Sequence, residues 1–329
     1  MKKLIICFFC LAAMSCVTNR EAPEEPKPPE VQPQDEIPVI EKPSTLKRTI
    51  KDHNLKKAQD DKSPRKRVVV LPFLDRTPSR PVEILNQART DFMNDLNRTQ
   101  EMVAIESSEL KIDLSTYFKN GEYDLGALAQ AVQSAGVSAL LESKVIDVRF
   151  KTNSESEILT GFKKAVFEIV VKARLISVRT GQELYNTVKT VTIEEENTKL
   201  PAHISSEAFF NKNPMLVQLL IKDAFLDFSG QLADSMNQVV WEGRIAALQG
   251  EKIYLNVGQV TGLQIGDILK VVEDGNEVYD PEIGYHIGKV PGKVKGTVEV
   301  VGYFGQDGSI GVIHSGAGFK ENDRIELYE

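Results

Sequence analysis

Cysteine is nearly absent from this chain. There are 3, at positions 7, 10 and 16, and none follows Cys16. A small secreted domain stapled by disulfides carries an even set in its mature part, so that framework is excluded, as is a cysteine-based metal site. Histidine is almost as scarce: His53, His203, His286 and His314 are scattered without metal-ligand spacing. There is no phosphate-cradling Gly-rich loop, no Gly-x-Ser-x-Gly elbow and no His-Glu-x-x-His. The chain is therefore read as a non-enzyme without a cofactor or a metal site. A net charge of -7 argues against a general nucleic-acid binder, which needs a basic face. After the first residues no stretch approaches the apolar length of a membrane helix.

The first residues are a targeting segment. Lys2 and Lys3 precede an uncharged apolar run, Leu4 to Ala13, too short to span a bilayer. It ends in Ala13-Met14-Ser15-Cys16, which resembles the bacterial lipobox, although Ala13 stands where Leu is commoner. The resemblance implies a signal peptide over 1–15, cleavage before Cys16 and acylation of Cys16, so that membrane lipid is the first partner. Each buried CH₂ contributes about 0.8 kcal/mol, and two or more chains make a stable anchor. Val17 is not the Asp that favours inner-membrane retention, which points to the outer membrane, facing the periplasm. The alternative is an ordinary signal peptide in which Cys16 is incidental.

Residues 16–66 read as a disordered tether. Prolines 23, 26, 28, 29, 33, 38, 43 and 64 stand among Glu, Lys, Gln and Asp, too polar to offset the entropy of ordering. Its basic end (Lys62, Arg65, Lys66, Arg67) reads as a solvated linker, with contact to an anionic polymer or lipid as the alternative.

Two folded units are expected, 67–238 and 239–329. The first opens on Val68-Val69-Val70-Leu71-Pro72-Phe73, an apolar run suited to a central strand. Helical spacing follows over 82–96 and 125–135, with Gly136 placed to end the second helix in the left-handed region. A strand is expected over 139–150. Residues 165–178 alternate, with Phe167, Ile169, Val171, Ala173 and Leu175 on one face and Glu168, Lys172 and Arg174 on a wet one. A turn at 179–182 leads into the second arm of a hairpin, 183–193, and Pro214 opens one long amphipathic helix to Met236. From Trp241 the chain changes to short strands with frequent Gly: 239–247, 252–256, 268–273, 296–301 and 308–314. Gly262-Leu263-Gln264-Ile265-Gly266-Asp267 is echoed by Gly318-Phe319-Lys320-Glu321-Asn322-Asp323.

The order of elements resembles the CsgG family, the lipoproteins of the curli secretion channel. The Val68–Phe73 opening matches its first strand, shared more loosely with TolB N-terminal domains. Gly136–Ser143, Ala173–Leu184 and Asn213-Pro214-Met215 match its later strand, its hairpin and the start of its last helix. The C-terminal unit resembles the SH3-like domain of the flagellar protein FlgT through Asn256-Val257-Gly258, the Asp280-Pro281 turn with Gly284, and Gly296–Val300. The fold class implied is a mixed α+β sheet with flanking helices, followed by a small all-β SH3-type barrel.

Weaker signals have bland readings. Asp274-Gly275-Asn276 and Asp280 suggest a polar hairpin turn rather than a calcium loop, which needs twelve residues and a terminal bidentate Glu. Asp267 and Asp323 suggest turn residues bonding their own backbone rather than catalytic carboxylates. Trp241 is expected at the domain junction. The stretches 151–164 and 194–213 are too short and too charged for the membrane hairpins of the CsgG family, and read as wet loops. The resemblance implies a structural or assembly lipoprotein that binds an envelope protein complex, flagellar or secretory, with a homo-oligomeric ring as a further possibility. The strand 139–150, the hairpin 165–193 and the helix 214–236 are the expected contact surfaces. Two alternatives stand: a CsgG-type secretion channel, and a tethered regulator of a cell-wall synthase like the LpoB activators.

Overall fold

The computed structural model describes residues 47–48, 64–77, 80–153, 164–195, 205–290 and 292–328. The signal peptide, Cys16 and most of the expected tether lie outside them, as do 154–163 and 196–204 of the expected loops.

Two residues of the expected tether form a strand: β1, Lys47–Arg48, antiparallel to the last strand of the main sheet. The sheet continues with β2 (Lys66–Val70) and β3 (Leu74–Asp75), followed by helix α1 (Val82–Thr99) and β4 (Met102–Glu106). Short turns lead through β5 (Phe118–Lys119) and β6 (Glu122–Tyr123) to α2 (Leu125–Ala131), then to the long strands β7 (Ala139–Asn153), β8 (Lys164–Ser177) and β9 (Glu183–Glu195). The order across the sheet is β1-β9-β8-β7-β2-β4, with β3 also on β7. The β7–β8–β9–β1 pairings are antiparallel, and those of β7, β2 and β4 are parallel.

β2 is central because it is apolar on both sides. Val68 and Val70 enter one core with α1 and the later helices, while Val69 and Leu71 enter a second core with α2. This is the double burial expected of a parallel strand. On β8 the expected alternation holds: Phe167, Ile169, Val171, Ala173 and Leu175 are all buried. Its opposite face is only partly wet. Glu168 is half-buried and pairs with the more exposed Arg149 (2.8 Å) and Lys151 (2.7 Å). Lys172 and Arg174 instead lie under the β5–β6 hairpin. Lys172 donates to Glu122 at 3.0 Å, and Arg174 donates to Glu183 at 3.2 Å and to fully buried Glu142 at 3.1 Å. The backbone N–H of Tyr123 also donates to Glu142, at 2.7 Å.

The hydrogen bond from Lys172 and the neighbouring charges hold the Glu122 carboxyl below its ordinary range. A depressed carboxyl stabilises the fold above its unfolded value and loses that contribution as pH falls through the folded value. Glu122→Gln should therefore be less stable than the parent at pH 7, with the gap closing below the ordinary glutamate range. Parallel thermal melts at neutral and acid pH read this directly; a gap that is constant with pH would contradict it.

Three short helices follow: α3 (Ser206–Lys212), α4 (Pro214–Leu226) and α5 (Ser229–Met236). Two expectations are corrected here. The stretch 194–213 is not all loop: Ser205 caps α3 by accepting from the Ala208 N–H at 3.2 Å, and Phe209 and Phe210 pack against Phe150 and Phe167. The single helix expected over 214–236 is two. At Phe228 the N–H donates to Phe225 O, three residues back, at 3.0 Å, tightening the turn. Lys189 stabilises that break by donating to the Asp227 carbonyl at 3.1 Å.

The remaining strands are β10 (Gly243–Gln249), β11 (Lys252–Leu255), β12 (Ile268–Val272), β13 (Glu277–Tyr279), β14 (His286–Lys289), β15 (Val294–Phe304), β16 (Gly308–Gly316) and β17 (Arg324–Leu327). Six of them close a barrel, β10-β11-β16-β15-β12-β17, and β13–β14 form a separate hairpin inserted between β12 and β15. β17 is not expected from the sequence pattern, and of the hairpin only a turn is expected, not its strands. Trp241, expected at a junction, is buried in the barrel core with Ile253, Val271, Val298 and Ile325. The echoed turns behave as expected. Gly266 and Asn322 both have positive φ (97° and 70°), and Asp267 and Asp323 each accept a backbone N–H three residues upstream at 2.7 Å. Asp323 additionally holds Lys295, at 2.7 Å.

The basic end of the expected tether is not a solvated linker. The Arg65 N–H donates to Thr261 O at 2.6 Å, and Lys66 donates to Met236 O at 2.6 Å. Arg67 reaches Gly136 O (3.1 Å), Ala135 O (3.3 Å) and Asn256 O (2.9 Å), joining the end of the α2 segment to the barrel. Asn256 returns a bond to Ala135 O at 3.1 Å. Gly136 has φ 65°, and a Cβ there would lie 2.7 Å from the Asn256 amide nitrogen, so glycine is required both by conformation and by the close approach.

Candidate protein-docking cleft

The β13–β14 hairpin is an arm with an apolar surface. Ile283 is 78% exposed, Tyr285 68% and Ile287 61%, and Val278, Tyr279, Val290 and Val294 are exposed nearby. Scattered surface apolar residues are ordinary, but a continuous set on one short element marks a contact surface. Asp280 builds its tip: its carboxylate accepts from Glu282 N–H (2.9 Å) and Ile283 N–H (3.1 Å), and Gly284 has φ 68°. The turn is therefore at 280–284. The expected Asp280-Pro281 turn with Gly284 is thus present, whereas Asp274-Gly275-Asn276, expected to share in a hairpin turn, is instead the arm's stem, where Asn276 O accepts from Val290 N–H at 2.9 Å.

One side of the arm overhangs a cleft of about 520 Å³. Tyr285, Ile287 and Val290 form the apolar wall; Gln130 and Gln133 of the α2 segment and the 179–182 turn form the opposite, polar wall. The floor carries charge. Glu242, Arg244 and Arg324 are each at least nine-tenths buried there, although no sequence pattern groups them. Arg244 donates to Gln133 O (2.8 Å) and Asn322 O (3.1 Å) and pairs with Asp274 at 3.1 Å. Arg324 pairs with Glu326 (2.9 Å), Asp274 (3.6 Å) and Glu242 (3.9 Å), and Arg179 pairs with Glu326 at 3.0 Å. With two guanidiniums beside it, the Asp274 carboxylate stands in a field that repels a cation, so a calcium role does not fit.

Burial pushes the Glu242 carboxyl above its ordinary range, against the pull of Arg244 and Arg324. Burial also acts on Glu326, but Arg324, Arg179 and Lys270 outweigh it and hold that carboxyl low. The two acids are thus pushed in opposite directions: burial favours the neutral form of Glu242, and the cations around Glu326 favour its ionised form. Glu242 Oε2 and Arg244 Nε have no hydrogen-bond partner among the described residues. Among the described residues no group of three or more His, Cys, Asp and Glu is placed to hold a metal, and no helix is long and apolar enough to cross a membrane.

Sequence reading missed this cleft because its parts are far apart along the chain. The available signal was local: Ile283, Tyr285 and Ile287 alternate beside Gly284 and Gly288, as in a hairpin with one apolar face. Cys16, the one site residue singled out from the sequence as lipidated, lies outside the described residues.

No family model and no curated protein matches this chain. Among solved structures, it is similar to the hypothetical protein CT253 from Chlamydia trachomatis, at 13% identity and TM-score 0.32, over 53% of this chain and 99% of that one. It is also similar to lipoprotein GNA1162 from Neisseria meningitidis, at 17% identity and TM-score 0.26, over 51% of this chain and 99% of that one. A third is the LpoB C-terminal domain from Salmonella enterica, at 12% identity and TM-score 0.26, over 40% of this chain and 86% of that one. Scores this low carry neither fold nor function across.

Proposed function

We propose that this chain is a lipid-anchored envelope protein that works by binding another protein, with Cys16 as the acylated anchor and the β13–β14 arm as the docking element. The observation that carries the reading is the arm, which leaves Ile283, Tyr285 and Ile287 in water at the rim of a charged cleft. Leaving such side chains exposed forgoes roughly 1.5–3 kcal/mol of burial each, a gain available on docking. The lipobox-like Ala13–Cys16 segment supports the anchor. The resemblance to the CsgG and FlgT families supports an assembly role in a secretory or flagellar machine of the outer membrane or periplasm.

Two variants separate anchor from docking. Cys16→Ser should move the protein from membranes to the soluble fraction while in-cell cross-links to its partner weaken. Ile283→Asp combined with Ile287→Asp should leave it membrane-bound and folded, with its cross-linked adducts reduced at least about tenfold, since burying an unpaired charge at a contact costs more than 1.4 kcal/mol. Adducts unchanged by the arm substitutions would sink the docking reading; Cys16→Ser protein still sedimenting with membranes would sink the anchor.

A further inference from the structure

We infer that the cleft beside the arm takes a single carboxylate carried next to an apolar side chain on an extended segment of the partner protein. This rests on the arm being the docking element and adds the chemistry of what docks.

The wall and the floor ask for different halves of one ligand. Tyr285 and Ile287 offer an apolar surface, exposed in the free protein. Below them three guanidiniums, Arg179, Arg244 and Arg324, face two acids of the cleft, Glu242 and Asp274. Glu326, outside the lining, is shared by Arg179, Arg324 and Lys270. Counted over this ion-paired cluster, four cations (Arg179, Arg244, Arg324 and Lys270) meet three acids (Glu242, Asp274 and Glu326), which leaves one positive charge in a chain whose net charge is -7. Such a local reversal favours an anionic group by charge complementarity.

Arg244 sharpens the choice. Its side chain is almost fully enclosed, yet its Nε–H has no acceptor among the described residues. A buried charged donor without an acceptor is costly, and a carboxylate is the acceptor a guanidinium bonds best. Glu242 limits the charge the cleft will take. It lies 3.9 Å from Arg324, and its Oε2 has no hydrogen-bond partner among the described residues. One carboxylate answers the single positive charge left over in the cluster, whereas a doubly charged phosphate would leave a negative charge facing Glu242 and Asp274. The flanking apolar residue follows from the lining: Tyr285 and Ile287 line the same cleft as Arg179, so a segment seated there meets both.

The test uses the full chain in detergent and two blocked tripeptides, acetyl-Leu-Glu-Phe-amide and acetyl-Leu-Gln-Phe-amide, titrated by calorimetry. They differ by one charge. The Glu peptide should bind at least about fivefold tighter, the difference one charge-assisted hydrogen bond makes. Arg179→Gln, a change at a partly exposed side chain, should erase that preference without shifting the thermal melt. Tyr285→Ser should weaken both peptides alike. Equal binding of the two peptides, or binding of neither, overturns the inference, as does tighter binding of a phosphoserine analogue. The in-cell adducts keep the two readings apart: adducts that depend on the arm while the peptides bind equally leave docking intact and remove only the acidic chemistry.

Discussion

Phe225→Ala should lower the unfolding free energy by about 3–5 kcal/mol, the range for emptying a buried phenylalanine site. Phe225 is 1% exposed on α4, and its ring lies 4.4 Å from that of Phe73 and 6.0 Å from that of Phe92. Those two neighbours come from the β2–β3 connection and from α1, so three separate segments, with α4 itself, line the site. No single movement can close the space, so the transfer loss and the cavity penalty both stand. Phe225→Leu retains most of the apolar volume and should cost roughly half as much. Urea unfolding of the three proteins at equal slope measures it. A loss below about 1 kcal/mol for the alanine variant would mean that the helical layer repacks freely around the gap.

Arg67→Ala comes next in size, at about 2–4 kcal/mol, because it leaves partly buried carbonyls behind rather than merely deleting a contact. The carbonyls of Ala135, Gly136 and Asn256 lose a shared charged donor. Burial alone disfavours the charged guanidinium, and the carboxylates of Asp307, Glu109 and Glu242 act against that. Lysine at this position offers one ammonium where a planar fork meets three carbonyls, so Arg67→Lys should recover only a minor part. Calorimetry carries a second readout. Since Arg67 bonds both the sheet side and the barrel, the alanine variant should show the barrel melting apart from the sheet. A single transition shifted by less than a degree would show that the joint rests on other contacts.

What could be read from the sequence was whatever a short window contains. The Val68–Leu71 run, the alternation of Phe167 to Leu175 and the paired turns at 262–267 and 318–323 each carry their own period or their own turn chemistry, and the structure keeps all three. The errors have one physical root. Arg65, Lys66 and Arg67 looked like linker because their neighbours in sequence are charged, while their acceptors (Thr261, Met236, Asn256) are supplied by chain far downstream. The break at Asp227-Phe228 depends on Lys189 of β9, and the cleft floor depends on strands from both ends of the barrel. α3 was obscured by the charged run and Pro201 before it, although Ser205 and the Phe209-Phe210 pair were visible as a cap and an anchor.

The arm also has a bearing on how this barrel could have diversified. β12 and β15 pair as far as Val272 and Val294, with a register shift between Val271 and Val272, and Glu273 N–H still donates to Lys293 O at 2.9 Å. Immediately beyond, the two stems pinch together: a Cβ on Gly275 would meet Val290 O at 1.7 Å, and one on Gly292 would meet Glu273 O at 1.6 Å. Everything past that pinch is an excursion that begins and ends at the same point of the wall. A two-residue Asn-Gly turn can join such neighbouring ends. The barrel is thus a mount with an interchangeable tool: lineages could shorten, lengthen or exchange the excursion, and so change what is grasped, without disturbing the closed strands that hold it.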